Sequence, residues 1–490
     1  MKPRLANSEI LPWILQKLSV PEDFARLSLD TVYYGVGKSA EALAALVLVP
    51  VLTRAFTPAQ FGLWDVTMTF FLLTTTTASL ALEAALAAFY FETQQADERM
   101  LVASTSLLSR LASSVLVAIP IFFLAPQISL LIFDTAVYSA CFRILAAAIP
   151  FFLMINMQKQ LLRIDFAPGK FNVLSVGFAG LYTTLGVIFV LNMKMGVKGI
   201  LFAMLVAGVC SALVGSRFVS KFSSFEFSSG KMAKMLVFAV PLIPYLLANW
   251  VIDSSSRYFL TKLSTLEQVG IYSVGAKISS IITLFVTSFQ MAWAPAALSI
   301  QHQPGAKEKF SRALLFFVAV SLTAATAITV FARPILVVLT QPTYYGAERV
   351  IGLLSFSLVV YGAFLMVSIG LIIVKKTALA SAGLVAGAIV NLLLNYLLIP
   401  VFGMLGAALA TFISYSAAAA LLYRFTQKHY PVDYKIPRLA RLAALSAGTL
   451  ALAWLLPFDG HMPLDVASRV ILMVGFVVIL KKLLIRAGQD

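Results

Sequence analysis

Ionised side chains stand inside long apolar stretches of this chain, where they are costly. They are Lys38, Glu41, Glu83, Arg143, Asp253, Arg257 and Lys277. Each costs about 2.5–3.5 kcal/mol at the centre of a membrane helix, so each is expected to face a cavity or a partner. The carboxylates Glu41, Glu83 and Asp253 could take up a proton or a sodium ion, which makes them the candidates for ion coupling. Lys38, Arg143, Arg257 and Lys277 are the basic residues expected to be placed within such stretches rather than toward either membrane face. This is the chemistry of binding, not of bond-making. His302, His429 and His461 stand singly in loops, and Cys141 and Cys210 fall in apolar spans. No metal site, disulfide framework or other cofactor is expected from them, and paired catalytic carboxylates are missing from the short external loops, so no enzyme is expected.

The spacing gathers these residues on helical faces. Asp65, Thr69, Thr76, Ser79 and Glu83 recur at steps of three, four or seven, and Tyr245, Asn249, Asp253 and Arg257 at steps of four. Ser273, Lys277 and Ser280 share a third face, and Lys38 and Glu41 a fourth. Four such faces suggest one aqueous cavity, with Arg143 a further candidate for it. A simpler alternative stays open for two pairs. Lys38 with Glu41, and Asp253 with Arg257, could neutralise each other within one helix. Lys277 has no acid at helical spacing. Asp65 and Lys262 are expected near the outer surface, solvated, and Glu83 near the cytoplasmic end of its helix.

The elements that carry these faces are membrane spans. Of 490 residues, 60% are hydrophobic and 12% charged, against about 25% charged in soluble domains. The reading is an all-α polytopic membrane protein of about 14 transmembrane helices. The expected spans are 31–53, 61–85, 105–124, 137–158, 171–192, 197–218, 236–260, 270–294, 312–332, 350–373, 377–400, 404–424, 438–457 and 466–485. With the N-terminus inside, 26 basic residues fall toward the inner side and 7 toward the outer. That places both termini in the cytoplasm and accounts for the net charge of +16 without nucleic acid. The inner count includes Arg110 and Lys159, and the outer count includes Arg469.

The chain also repeats itself. LTRAFTPAQFGLWDV at Leu52–Val66 returns as LTKLSTLEQVGIYSV at Leu260–Val274, an offset of 208. GVKGILFAM at Gly196 returns as GMLGAALAT at Gly403. Two like halves in a membrane protein indicate a transporter. Six spans is an even number, so the halves insert the same way round. The expected organisation is a cytoplasmic tail, 1–30, with a possible interfacial helix; a six-helix bundle, 31–220; a cytoplasmic linker, 221–235; a second bundle, 236–428; and two additional helices, 429–490. Pro241 and Pro244 are expected to break the seventh span.

Four stretches carry a family resemblance: RAFTPAQFGLWDV, VPLIPYLLANWVIDSSSRYFL, EQVGIYSVGAKIS and NLLLNYLLIPVFGMLGAALATFISY. In order and spacing, over residues 30–425, the chain resembles the polysaccharide flippases of the multidrug/oligosaccharidyl-lipid/polysaccharide exporter superfamily. Where that pattern often has an acid before the arginine that closes the seventh span, this chain has Ser256. The resemblance implies two six-helix bundles in a V around a central cavity, working by alternating access. It implies a substrate of oligosaccharide on a polyprenyl pyrophosphate, moved across a bacterial plasma (inner) membrane for surface polysaccharide synthesis, with polysaccharide polymerase machinery as a possible partner. Lys38, Arg143, Arg257 and Lys277 would then meet the pyrophosphate, and Asn249, Gln290 and Trp293 the sugars. A lipid II flippase and a multidrug/cation antiporter of the same superfamily are the alternatives. A monomer is expected, since one chain holds both halves.

Overall fold

The computed structural model describes residues 43–93, 95–222, 224–455 and 462–489, with Gly37, Ala40 and Glu41. The expected tail (1–30) and Lys38 lie outside the described residues. Thirteen described helices are long and apolar enough to cross a membrane. They are α2 (Pro58–Glu92), α3 (Ala96–Phe123), α4 (Ser139–Ile164), α5 (Pro168–Asn192), α6 (Gly196–Phe218), α7 (Ser229–Leu263), α8 (Leu266–Ile300), α9 (Ala306–Val330), α10 (Pro342–Ile373), α11 (Thr377–Phe402), α12 (Met404–His429), α13 (Ile436–Leu455) and α14 (Pro463–Leu483). A shorter apolar helix before them, Leu43–Ala55, is α1, the described part of the expected first span. Large apolar side chains such as Leu116, Trp454 and Ile471 point outward and exposed, a surface suited to lipid rather than water. The chain is a multi-pass membrane protein.

The repeated joint shows why the two halves fold alike. Thr57 caps α2: its hydroxyl accepts from Gln60 N–H, and the Gln60 side chain accepts from Thr57 N–H. Such a capping box satisfies two otherwise orphaned helix-end donors. At the same offset, Thr265 caps α8 by accepting from Gln268 N–H at 3.2 Å. Here the Gln268 side chain instead accepts from Met404 N–H and so holds the start of α12.

The two joints pack on each other, and their glycines permit it. A Cβ on Gly62 would collide with the Leu266 carbonyl, and a Cβ on Gly270 with the Pro58 carbonyl. These contacts are reciprocal, since Pro58 and Gly62 occupy the places of Leu266 and Gly270. Further bonds cross between the halves at this end. The Tyr344 hydroxyl donates to Phe56 O at 2.8 Å, Gln341 Nε2 to Arg54 O at 3.2 Å and Thr53 Oγ1 to Leu339 O at 3.2 Å. One apolar core runs across the contact, joining Leu52, Phe61 and Trp64 to Val274, Tyr344 and Ile351. At the joint end, the halves are closed against each other.

Three features depart from the expected spans. The seventh span begins at Ser229, not near 236, because Ser228 caps it by accepting from Lys231 N–H. Its first segment packs in the core of the first half through Met235 and Ala239. A short 3-10 turn at Val240–Leu242, containing Pro241, then separates it from Ile243–Leu263. The second span runs on to Glu92 and is broken within, at Leu80 and Ala81, where φ is 48° and 52°. Left-handed backbone at side-chain-bearing residues costs about 1–3 kcal/mol each. The break is held by Arg110, which is 0% exposed, donates to Ala78 O at 3.4 Å and pairs with Glu83 at 2.7 Å. Finally, Arg110, Lys159 and Arg469 lie within helices, not loops, because each has found a partner: Glu83, Glu41 and Val330 O.

Candidate functional site

Asp65 organises the charges between the halves. It lies on α2 at 4% exposure, two positions past the packed joint residues Gly62 and Leu63. Three side chains of the second half converge on its carboxylate. Arg257 Nε on α7 donates to Oδ2 at 2.6 Å, Ser273 Oγ on α8 donates to Oδ2 at 2.7 Å, and Lys277 Nζ on α8 stands 3.3 Å from Oδ1. The expectation that Asp65 is solvated is corrected here. Packing of α2 on α8 removes it from water, and two cations offset its desolvation. Lys262 does remain at the joint end, 2.8 Å from the exposed Asp134.

The cations are held from their other sides too. Lys277 Nζ lies 4.5 Å from the centre of the Trp64 ring and the Arg257 guanidinium 5.7 Å from that of Tyr272. The Trp64–Lys277 contact crosses between the halves and adds cation–π attraction to the ion pair. Arg257 Nη1 donates to the backbone oxygen of Asp253 at 2.7 Å. So Arg257 reaches the backbone of Asp253, and makes its direct ion pair with Asp65 rather than with the Asp253 carboxylate. Asp253 makes no ion pair among the described residues.

Beside this cluster lies a cavity of about 510 Å³, walled by α1, α7, α8, α10 and α12. Asn249, Asp253, Arg257 and Lys277 all line it. Its size is within the range common for ligand pockets. It can hold an anion at Arg257 and Lys277, with Asp65 behind them as the internal counter-charge that the anion must compete with. The lining also includes Tyr361 and Tyr415, whose rings are 5.0 Å apart, and several hydroxyl side chains.

The other sequence candidates are placed elsewhere. Glu41 pairs with Lys159 at 2.7 Å, and both line a smaller cavity of about 180 Å³ in the first half, with Asn156 and Tyr182. Ala45 of α1 lines both cavities. Glu83 is engaged by Arg110, away from either cavity. Arg143 is exposed, its guanidinium 6.0 Å from the Phe122 ring, and does not join the others. Trp293 is buried against Phe310, edge to face at 5.5 Å. The Trp293 indole N–H and Gln290 Nε2 are buried without a hydrogen-bond partner among the described residues, but neither residue lines the larger cavity. No cluster of metal-ligating side chains occurs among the described residues.

The family profile described as "Polysaccharide biosynthesis protein" matches residues 28–301, more than half of the chain. The chain belongs to this family. Among curated proteins, no sequence matches it. Solved structures share its fold. One described as the lipid II flippase MurJ in an inward closed conformation superposes with a TM-score of 0.76 at 14% identity, covering 94% of this chain and 100% of that one. A multidrug resistance MATE transporter of the MOP superfamily, inward-facing, gives 0.66 at 15% identity, covering 82% and 96%. An outward-facing structure of that description gives 0.60 at 16% identity, covering 84% and 95%. The fold of this family member is therefore that of the multidrug/oligosaccharidyl-lipid/polysaccharide exporters, as the resemblance of its motifs implies.

Proposed function

We propose that the chain is a flippase that carries polyprenyl-pyrophosphate-linked oligosaccharide units across the bacterial plasma membrane for surface polysaccharide synthesis. The observation that carries this reading is the pair Arg257 and Lys277 on one cavity wall within the membrane, in a chain of the polysaccharide biosynthesis family. A pyrophosphate gives up hydration on leaving water, and two adjacent cations replace it. Charge neutralisation is not free here, since both cations already serve Asp65. The arriving anion takes over bonds that tie the second half to the first. Binding energy is thereby spent on loosening the closed joint end, which is what alternating access requires of a substrate.

In this reading both termini are cytoplasmic, the joint end faces outward, and the structure is the outwardly closed state. Residues 31–220 and 236–428 act as the two moving bundles, and the chain works as a monomer. Glu41 and Glu83 are each engaged by a cation, so Asp253 is the better placed of the three carboxylates for a coupling ion. Lipid II transport is the second reading, favoured by the likeness to the lipid II flippase structure. Deleting the gene and extracting the lipid-linked sugars tests both. Accumulation of inward-facing repeat-unit lipid with loss of one surface polymer supports the first reading. Accumulation of lipid II with cell lysis supports the second. Sensitivity to cationic drugs with normal polymer refutes both.

A further inference from the structure

The two cations of the large cavity are not held alike. Arg257 has two contacts within its own half: Nη1 donates to the backbone oxygen of Asp253 at 2.7 Å, and the guanidinium lies 5.7 Å from the centre of the Tyr272 ring. Asp65 then reaches it from the first half. Lys277 is the reverse case. Its ammonium meets Asp65 Oδ1 at 3.3 Å and the Trp64 ring at 4.5 Å, both carried by α2 of the first half. Among the described residues, it has no ion pair or ring contact within the second half. The offset of 208 carries Trp64 onto Tyr272, so one aromatic place in the repeat is used twice. Tyr272 serves a cation of its own half, whereas Trp64 serves a cation of the other. Trp64 is also firmly placed. It is 5% exposed, packs edge to face on Phe61 at 5.1 Å and shares a core with Val274 and Tyr344. Lys277 lines the cavity and Trp64 does not, so a ligand meets the ammonium and not the ring.

We infer that Trp64 is a positioning residue that acts through Lys277 to keep the joint end closed after the pyrophosphate has displaced Asp65. The inference rests on the proposed pyrophosphate site and adds the contact that holds the loaded, still closed molecule. An arriving anion competes with Asp65 for the ammonium. It does not compete with the Trp64 ring, because an ammonium has three protons and stays attracted to a π face while it gives another proton to a ligand oxygen. The ammonium is paired with an anion in either case, first Asp65 and then the ligand. Asp65 therefore locks the empty molecule, and Trp64 latches the loaded one. Lys277 carries that latch and Arg257 does not, since the ring beside Arg257 belongs to its own half. The anion first removes the Asp65 bonds, and separation of the halves then breaks the contact between Trp64 and Lys277.

The test uses the full chain in nanodiscs, spin-labelled at Ala59 and Thr343, empty and saturated with a sugar-free polyprenyl pyrophosphate. Trp64 is replaced by tryptophan analogues of increasing ring fluorination, which keep the shape of the side chain and withdraw electrons from its π face. The ratio of closed to open joint should fall stepwise with fluorination, about fivefold in all, and by the same factor in empty and loaded protein. Asp65→Asn should lower that ratio in the empty protein and change it little in the loaded one. Fluorination should have no effect in a Lys277→Gln chain and its full effect in an Arg257→Gln chain, a dependence that packing of the ring alone would not produce. Fluorination steps that survive Lys277→Gln, or that are missing from the loaded protein, would overturn the inference while leaving the pyrophosphate site standing. Failure of the wild-type chain to bind the lipid, read by calorimetry, would overturn it together with that site.

Discussion

Replacing Asp65 by Asn tests the mechanism most directly. The side chain keeps its size, but it no longer offers a negative charge to Arg257 and Lys277. Removing one partner from a buried ion pair costs about 3–5 kcal/mol. The Arg257 side chain is 13% exposed and that of Lys277 27%, both on the cavity wall, so water recovers part of the loss. About 2 kcal/mol remains, and the whole of it falls on the closed state, where these bonds cross between the halves. At 1.4 kcal/mol per factor of ten, the ratio of closed to open joint should fall about thirtyfold. Spin labels at Ala59 and Thr343, exposed positions of the two halves at the joint end, read that ratio as a distance distribution. The substitution also frees two cations for a ligand. Affinity for a polyprenyl pyrophosphate should rise even as the closed state is lost. An unchanged distance distribution, or weaker pyrophosphate binding, would refute the competition between Asp65 and substrate.

Three further outcomes follow from the same geometry. The double variant Arg257→Ala, Lys277→Ala should lose far more transport than either single variant, measured by flipping in proteoliposomes, because either cation alone still offers the anion one charge; normal flipping by the double variant would remove the cationic site. Gly62→Ala and Gly270→Ala should each prevent the joints from closing and lower the melting temperature, whereas Gly448→Ala, which meets nothing within 4 Å, should not. Overpacking of this kind costs about 1–3 kcal/mol, and equal melting temperatures would contradict the close approach. Arg110→Leu should destabilise the protein by about 3–5 kcal/mol, because Glu83 and Ala78 O lose their partner at the break in α2; thermal unfolding in detergent measures it.

The spans were legible because each needs its own apolar run of about 20 residues. The joints were legible because one capping and packing problem is solved twice, by Thr57, Gln60 and Gly62 and again by Thr265, Gln268 and Gly270. Periodicity placed Asn249, Asp253 and Arg257 on one face, and the structure brings that face to the cavity with Lys277. What periodicity cannot report is a partner on another helix. Asp65 meets Arg257 across 192 positions, Lys159 meets Glu41 across 118, and Arg110 meets Glu83 from the next span. One signal for Asp65 was present in the repeat. Residues at equal places in two halves meet where the halves touch, and the offset of 208 carries Asp65 onto Ser273. For Arg143, Gln290 and Trp293, the sequence gives no sign of which helix face points away from the cavity.

That meeting of Asp65 with Ser273 bears on how such a molecule can arise. Two identical chains paired about a twofold axis can place only like against like on it. Two carboxylates there would repel, and two hydroxyls would leave a pair of buried cations with no counter-ion. Joining the copies in one polypeptide lifts that constraint. Each side of the axis can then change alone, one becoming an acid and the other a hydroxyl that donates to it. An asymmetric lock at the centre of a nearly symmetric machine is open only to the fused chain.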